Sequence, residues 1–293
     1  MLATALISGL VSGLGLGSMY GLIALGFTLT FAVSGTVNFA QGSSLMLGAV
    51  VVHMASVGAS WPMPLAIAVA LAACAVWGLV VERLAIRPFV RRNSNSWLMA
   101  SVALGIVLDN LAMAVFGKEP RALNSALADE PWVIGGVGVF PLQLLIPVIG
   151  LGLAALVQLA LARTGLGLRL RGAAQNADAA RLMGIDVTGL VAITYAVAAA
   201  LAGVAGVLVA PLFNVAYDMG TLFGIKAFAV AILGGLTRPW GVVAAGLLYG
   251  LVEAFTTTLL GSGSTQIVTF SAVIAALALA PEGLFTRRRA ARI

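Results

Sequence analysis

The sequence predicts an all-α polytopic membrane protein, with about eight full-length transmembrane helices, one short or broken helix and a long cytoplasmic loop. Three observations carry that prediction. Of the 293 residues, 61% are hydrophobic and only 9% charged, whereas an ordinary soluble domain carries about 25% charged residues. No Asp, Glu, Lys or Arg precedes Glu82. Several apolar runs reach the roughly 20 residues needed to cross a bilayer, and none alternates as the strands of a membrane barrel do.

The runs cover about 2–33, 36–58, 62–86, 97–117, 138–162, 188–213, 239–260 and 265–283, with a shorter one at 224–236. The short run spans only about 20 Å as a helix. The opening stretch MLATALISGL has no basic region before its apolar residues, so it is expected to belong to the membrane domain and not to a cleaved signal.

Arginine decides the sidedness. Four arginines lie at 83–92, four at 163–181 and four at 287–292, twelve of the sixteen cations. The positive-inside rule puts these regions, and with them the C-terminus, in the cytoplasm. The segment GKEPRALNSALADEPW carries two cations against three acids and is expected outside. The N-terminus lies outside if the short segment crosses fully. Trp61, Trp97 and Trp132 fall near span ends, as an aromatic belt requires. Gly9, Gly13, Gly17 and Gly21 form one small-residue stripe, and Ala198, Ala202, Gly206 and Ala210 form another. Such stripes let helices approach closely in lipid, within the subunit or between subunits.

Two apolar segments are interrupted in the same way. SGTVNFAQG at 34–42 and GGLTRPWG at 234–241 both combine Gly with polar residues. Paired, Gly-interrupted segments point to a transport pathway, because non-helical backbone at membrane depth must be buried in protein or line a water-filled cavity. Gly35, Asn38, Gln41 and Gly42 are therefore candidate pathway residues. A tight turn at the cytoplasmic surface, with the amides capping helices, is the other reading. Lys226 and Glu253 lie 13 and 14 residues from Pro239 on the two arms of the second break. That is about 20 Å along each helix, so the two charges are expected at similar depth as a buried pair.

The loop RTGLGLRLRGAAQNADAARLMGIDV at 163–187 is too long for a simple connector. Asn176 can cap a short helix near 177–183, Asp178 suits its positive start and Gly184 its stop. That helix would present Ala179, Ala180, Leu182 and Met183, with Arg169, Arg171 and Arg181 around them. An exposed face of this kind suits docking of a soluble partner. The same helix could instead lie on its own domain.

Several chemistries are disfavoured. The net charge of +6 belongs to the inner loops and not to a nucleic-acid surface. Cys74 is the single cysteine, placed as a small buried hydrophobe. Only two lysines occur, Lys118 and Lys226, and neither follows a phosphate-binding Gly-rich loop, so no ATP site is expected. His53 has no second His and no Cys within helical reach, which argues against a metal site. Asp109, Lys226 and Glu253 are the intramembrane charges, and such residues face a cavity or a partner. No catalytic residue, cofactor or metal is expected in this chain.

Three stretches in order resemble one family. GSMYGLIALGFTLTFAVSGTVNFAQGSSLMLGA is similar to the N-terminal signature of permeases of high-affinity branched-chain amino acid ABC importers. RGAAQNADAARLMGIDV resembles their cytoplasmic coupling loop, and KAFAVAILGGLTRPWGVVAAGLLYGLVEA their late broken-helix segment. One departure is Gln41, where the family usually has His. The resemblance implies a single permease domain over 1–293, with 163–187 as the ATPase-coupling loop through Arg171, Asn176, Ala179, Ala180, Met183 and Gly184. It implies a bacterial inner-membrane location, a homologous second permease subunit, two ATPase subunits carrying ATP and magnesium, and a periplasmic substrate-binding protein. Relatives of the class import urea, short amides and aromatic acids. An autonomous secondary carrier or channel is the rival reading, and a membrane-embedded enzyme lacks clustered His, Asp or Ser.

Overall fold

Inside lipid the backbone must satisfy its own hydrogen bonds, and an apolar chain without a strand pattern does so as helices. The structure, a computed structural model, describes residues 2–92, 94–125, 128, 131–134, 137–281 and 283–285. The arginines at 287–292 lie outside the described residues.

The chain opens with α1 (Leu2–Ser34), returns through an extended segment into α2 (Gln41–His53), and ends that arm in a π-helical turn, Met54–Gly58. Next, α3 (Met63–Val81) passes through a second π-helical turn, Glu82–Ile86, into the one-turn α4 (Arg87–Val90), and α5 (Trp97–Phe116) follows. An antiparallel hairpin of β1 (Trp132–Ile134) and β2 (Val137–Val139), pairing Trp132 with Val139, leads to α6 (Pro141–Arg163). The connection to α9 (Val187–Val209) holds α7 (Gly165–Gln175) and α8 (Ala177–Leu182). The chain then forms α10 (Met219–Gly234), α11 (Pro239–Leu260) and α12 (Ser262–Leu279).

The protein is an all-α polytopic membrane protein. Among the described residues seven helices are long and apolar enough to cross a bilayer: α1, α3, α5, α6, α9, α11 and α12. The run at 36–58 is not a full-length helix as expected. Its first residues are extended, and α2 has 13 residues, so it joins α10, with 16, as a second short helix. Two further elements differ from expectation. The loop at 163–187 contains α7 besides the short helix, with the Gly167 N–H donating to Thr164 Oγ1 at its start. The hairpin was not foreseen.

α1 is the hub, packed most extensively on α11 and also on α9, α6 and α10. The Gly9, Gly13, Gly17 and Gly21 stripe makes this possible. A Cβ on Gly17 would stand 2.8 Å from both the Gly246 carbonyl oxygen and the Leu247 Cα, so the backbones of α1 and α11 meet directly. The stripe is internal packing. Ala198, Ala202 and Ala210 of the second stripe are likewise fully buried.

One end of the bundle gathers the ends of α1 and α3, α4, the α6–α9 connection and the α10–α11 turn. It carries Arg83, Arg87, Arg91, Arg92, Arg163, Arg169, Arg171 and Arg181. The opposite end carries the hairpin and an isolated bridge between Arg121 and Val215.

Candidate functional site

The break after α1 runs into the bundle. Gly35 ends α1 at φ +67°, a left-handed turn that glycine accepts without steric cost. Ser34 Oγ, Thr36 Oγ1 and Tyr195 Oη are linked in sequence at 2.6 and 2.7 Å, tying the returning segment to α9. Asn38 and Gln41 are fully buried. The Ala40 N–H donates to Asn38 Oδ1 at 3.0 Å, Asn38 Nδ2 donates to Gln41 Oε1 at 3.4 Å, and Gln41 Nε2 donates to the Ala198 carbonyl at 2.8 Å.

These partners fix the depth of the break. Ala198 is halfway along α9, and Gly105, whose carbonyl accepts from Ser43 Oγ at 3.4 Å, is close to halfway along α5. The start of α2 therefore sits near the middle of the bundle, and not in a turn at its surface. The amides brace non-helical backbone in a place where an unbonded polar group would be strongly unfavourable.

The second short helix begins at the same depth. Gly42, near the start of α2, lies against Gly220 and Gly224 of α10, and a Cβ on Gly224 would stand 2.9 Å from the Gly42 Cα. Gly220 also faces the Met46 Cβ one turn further along α2, so the two helices run antiparallel and overlap by about a turn. The N-termini of two half-helices thus meet at mid-depth. Their sequence breaks sit differently: 35–40 precedes α2 at depth, whereas 235–238 follows α10 near the arginine-bearing end.

A cavity of about 290 Å³ adjoins this junction. Gly42, Ser43, Gly220 and Thr221 border it from the two half-helices, and Asp109 borders it from α5. Thr221 Oγ1 donates to Asp109 Oδ2 at 3.4 Å, and Asp109 Oδ1 is buried without a hydrogen-bond partner among the described residues. Apolar walls complete it: the Phe228 ring lies 5.6 Å from that of Phe27 and 5.1 Å from that of Phe39, centroid to centroid. Of the four residues expected at a pathway, Gly42 borders this cavity, Asn38 and Gln41 stand buried behind it, and Gly35 is exposed at the end of α1.

The structure brings Lys226 and Glu253 together. Lys226 Nζ is 2.5 Å from Glu253 Oε1 and donates to Tyr20 Oη at 3.4 Å, with all three residues buried. A second ion pair, with a buried acid and a part-buried arginine, was not expected from the sequence. Glu82, in the π-helical turn after α3, is held by Arg87 through two bonds of 2.9 Å, Nε to Oε1 and Nη2 to Oε2. An acid five residues before an Arg at the end of an apolar run was the available signal. Helical spacing alone does not place i and i+5 on one face, and the π-helical turn does.

In the α6–α9 connection, Asn176 caps α8: its Oδ1 accepts the N–H groups of Asp178 at 3.1 Å and Ala179 at 3.0 Å. Gly184 takes φ +78° and Arg181 pairs with Asp178 at 2.7 Å on the surface. Arg171 donates to the carbonyls of Gly167 at 3.4 Å and Ala162 at 3.3 Å. The expected outward face needs one correction. Ala180 is only 5% exposed and packs with Leu170, Ala173, Val187 and Leu190. The outward residues are Ala179, Leu182 and Met183, the last two at 90% and 82% exposed. A six-residue helix lying on its own connection must turn one side inward, and that side carries Ala177 and Ala180, three apart.

Asp109 was legible as an acid in an apolar run, but nothing local tied it to Ser43 or Thr221. His53 is buried with its ring 5.2 Å, centroid to centroid, from Phe116 in an edge-on contact, and Cys74 Sγ donates to the Ser44 carbonyl at 3.3 Å. Neither lies at the cavity.

Residues 9–280 match a family described as branched-chain amino acid transport system / permease component. The chain is 32% identical to the high-affinity branched-chain amino acid transport system permease protein BraD of Pseudomonas aeruginosa, over 95% of each chain. Its identity to the permease protein LivH of the corresponding system in Escherichia coli K12 is 29%, over 94% of each. It is 28% identical to the ribose import permease protein RbsC of Escherichia coli K12, covering 89% of this chain and 81% of that one. Among solved structures, PsaBC from Streptococcus pneumoniae in complex with Fab aligns with a TM-score of 0.52 and 13% identity, over 96% of this chain and 97% of that one. At that identity the likeness is one of fold.

Proposed function

This chain belongs to the family of branched-chain amino acid transport permease components, and from that membership we propose that it forms half of the membrane passage of an ABC importer for branched-chain amino acids. The observation that carries the reading is the junction of α2 and α10. Discontinuous helices whose N-termini meet near the membrane midplane are the recurring construction of solute pathways, and here they border a cavity. Gly42 stands at the passage, while Asn38 and Gln41 hold the re-entrant backbone behind it.

The partners follow from the family. A homologous permease subunit supplies the other half of the passage, two ATPase subunits carry ATP and magnesium, and a periplasmic substrate-binding protein delivers the solute. The chain lies in the inner membrane with its arginine-bearing end and C-terminus in the cytoplasm, as the positive-inside rule supports. ATP-driven closure of the ATPase pair reaches the membrane domain through α7 and α8, and the chain itself performs no catalysis.

The test is transport by the assembled complex in proteoliposomes. Radiolabelled leucine should accumulate against its gradient only with ATP, both ATPase subunits and the binding protein present. Uptake of ribose or urea in its place would overturn the substrate. Leucine uptake by this chain without ATPase subunits would make it an autonomous carrier.

A further inference from the structure

We propose that the cavity at the α2–α10 junction holds the substrate in transit, with the Asp109 carboxylate taking the ammonium group of an apolar amino acid; this rests on the reading of the chain as an amino acid permease. A carboxylate at membrane depth is costly unless something pairs with it. Glu82, Asp178 and Glu253 are paired within the protein, but among the described residues Asp109 forms no ion pair. Thr221 donates one bond to Oδ2, and Oδ1 is buried and unmatched beside the cavity. The Ser43 hydroxyl is shared between the Asp109 carboxyl and the Gly105 carbonyl, and like Thr221 it brings no charge. The site thus has acceptor capacity and negative charge left over, which a ligand ammonium would match.

The rest of the cavity describes the rest of the ligand. Phe27, Phe39, Phe228 and Ile225 make its walls apolar, which suits an aliphatic side chain. Calcium and magnesium need six or more oxygen ligands, counting the waters they keep, and zinc takes about four N, S or O ligands; one carboxylate among aromatic walls supplies neither set. The volume of about 290 Å³ is at the small end of the roughly 300–1,000 Å³ of ligand pockets. The first turns of α2 and α10 also border the cavity at Gly42 and Gly220, and helix N-termini carry partial positive charge, leaving a place for a substrate carboxylate.

The test uses the assembled transporter without its binding protein, so that the membrane domain alone selects. A reporter cysteine, Val102→Cys, lies at the cavity, while the native Cys74 is fully buried. Maleimide labelling of Val102→Cys is followed against leucine, isoamylamine (leucine lacking its carboxylate) and isocaproate (leucine lacking its ammonium). Leucine and isoamylamine should protect, isocaproate should not, and Asp109→Asn should raise the half-protecting concentration of both amines at least tenfold. Protection by isocaproate equal to that by isoamylamine, or unchanged protection in Asp109→Asn, overturns the proposal. If Asp109→Asn fails to assemble, the comparison of the three probes on the Val102→Cys protein with Asp109 intact decides alone. ATP-driven leucine uptake is scored separately. Its absence alongside Asp109-dependent protection by isoamylamine would remove the substrate reading and leave the ammonium site standing.

Discussion

Lys226 and Glu253 form a 2.5 Å ion pair in which the two residues are 6% and 7% exposed. They come from the two helices that flank the 235–238 turn, and the Tyr20 hydroxyl from α1 accepts from the same ammonium. The contact therefore joins three helices at once. Removing one partner of a buried pair leaves the other charge unpaired, at about 3–5 kcal/mol, whereas removing both can be close to neutral. Glu253→Gln should therefore lower the unfolding free energy in detergent by about that amount, and Lys226→Met combined with Glu253→Gln should recover most of the loss. Equal losses for the single and double variants would mean that the pair contributes through packing and not through charge.

The Glu82–Arg87 pair makes a geometric prediction. Glu82 is 2% exposed and both its oxygens are bonded by one guanidinium. A lysine cannot reproduce a planar two-bond contact, so Arg87→Lys should be clearly destabilised, and Arg87→Ala more so, by about 3–5 kcal/mol. Thermal unfolding of the purified protein measures both. An Arg87→Lys protein as stable as the parent would show that the charge suffices without the fork.

Close helix approach predicts a contrast within α1. A Cβ on Gly17 meets backbone of α11 at 2.8 Å, whereas the nearest atom to one on Gly15 is the Gln143 carbonyl oxygen at 3.6 Å. Overpacking costs about 1–3 kcal/mol, so Gly17→Ala should lose stability in that range. Gly15→Ala meets only ordinary contact and gains helix propensity, so it should be neutral or stabilised by up to about 1 kcal/mol. The ordering is read from unfolding midpoints, and a reversed order would contradict the packing.

In the α6–α9 connection, inward and outward residues should fail differently. Ala180→Asp puts a charge among Leu170, Ala173 and Leu190 and should reduce the yield of folded protein. Met183→Asp and Leu182→Asp alter exposed positions, so they should leave folding intact and weaken capture of the ATPase subunits. Asn176→Ala removes the cap of α8 and should cost about 1 kcal/mol. Pull-down of the ATPase alongside size-exclusion profiles separates these effects. Normal capture with Met183→Asp and Leu182→Asp together would remove α8 from the coupling surface.

The sequence by itself determined the membrane class, most span boundaries and the local stops. Apolar length, Asn176 as a cap and Gly184 as a helix stop are all local matters, settled by solvent and by the nearest few residues. The depth of the break at 35–40 was decided only by tertiary structure, because Gln41 finds its acceptor at Ala198, 157 residues away. So was the inward side of Ala180: Asp178 and Arg181 mark an outward face of α8, but nothing local says that the opposite side packs on Leu170, Ala173 and Leu190 of its own connection. The same holds for Asp109, which joins the cavity through Thr221, 112 residues along the chain. Burial and pairing at such separations come from helix packing, and hydrophobic periodicity carries no record of which helices meet.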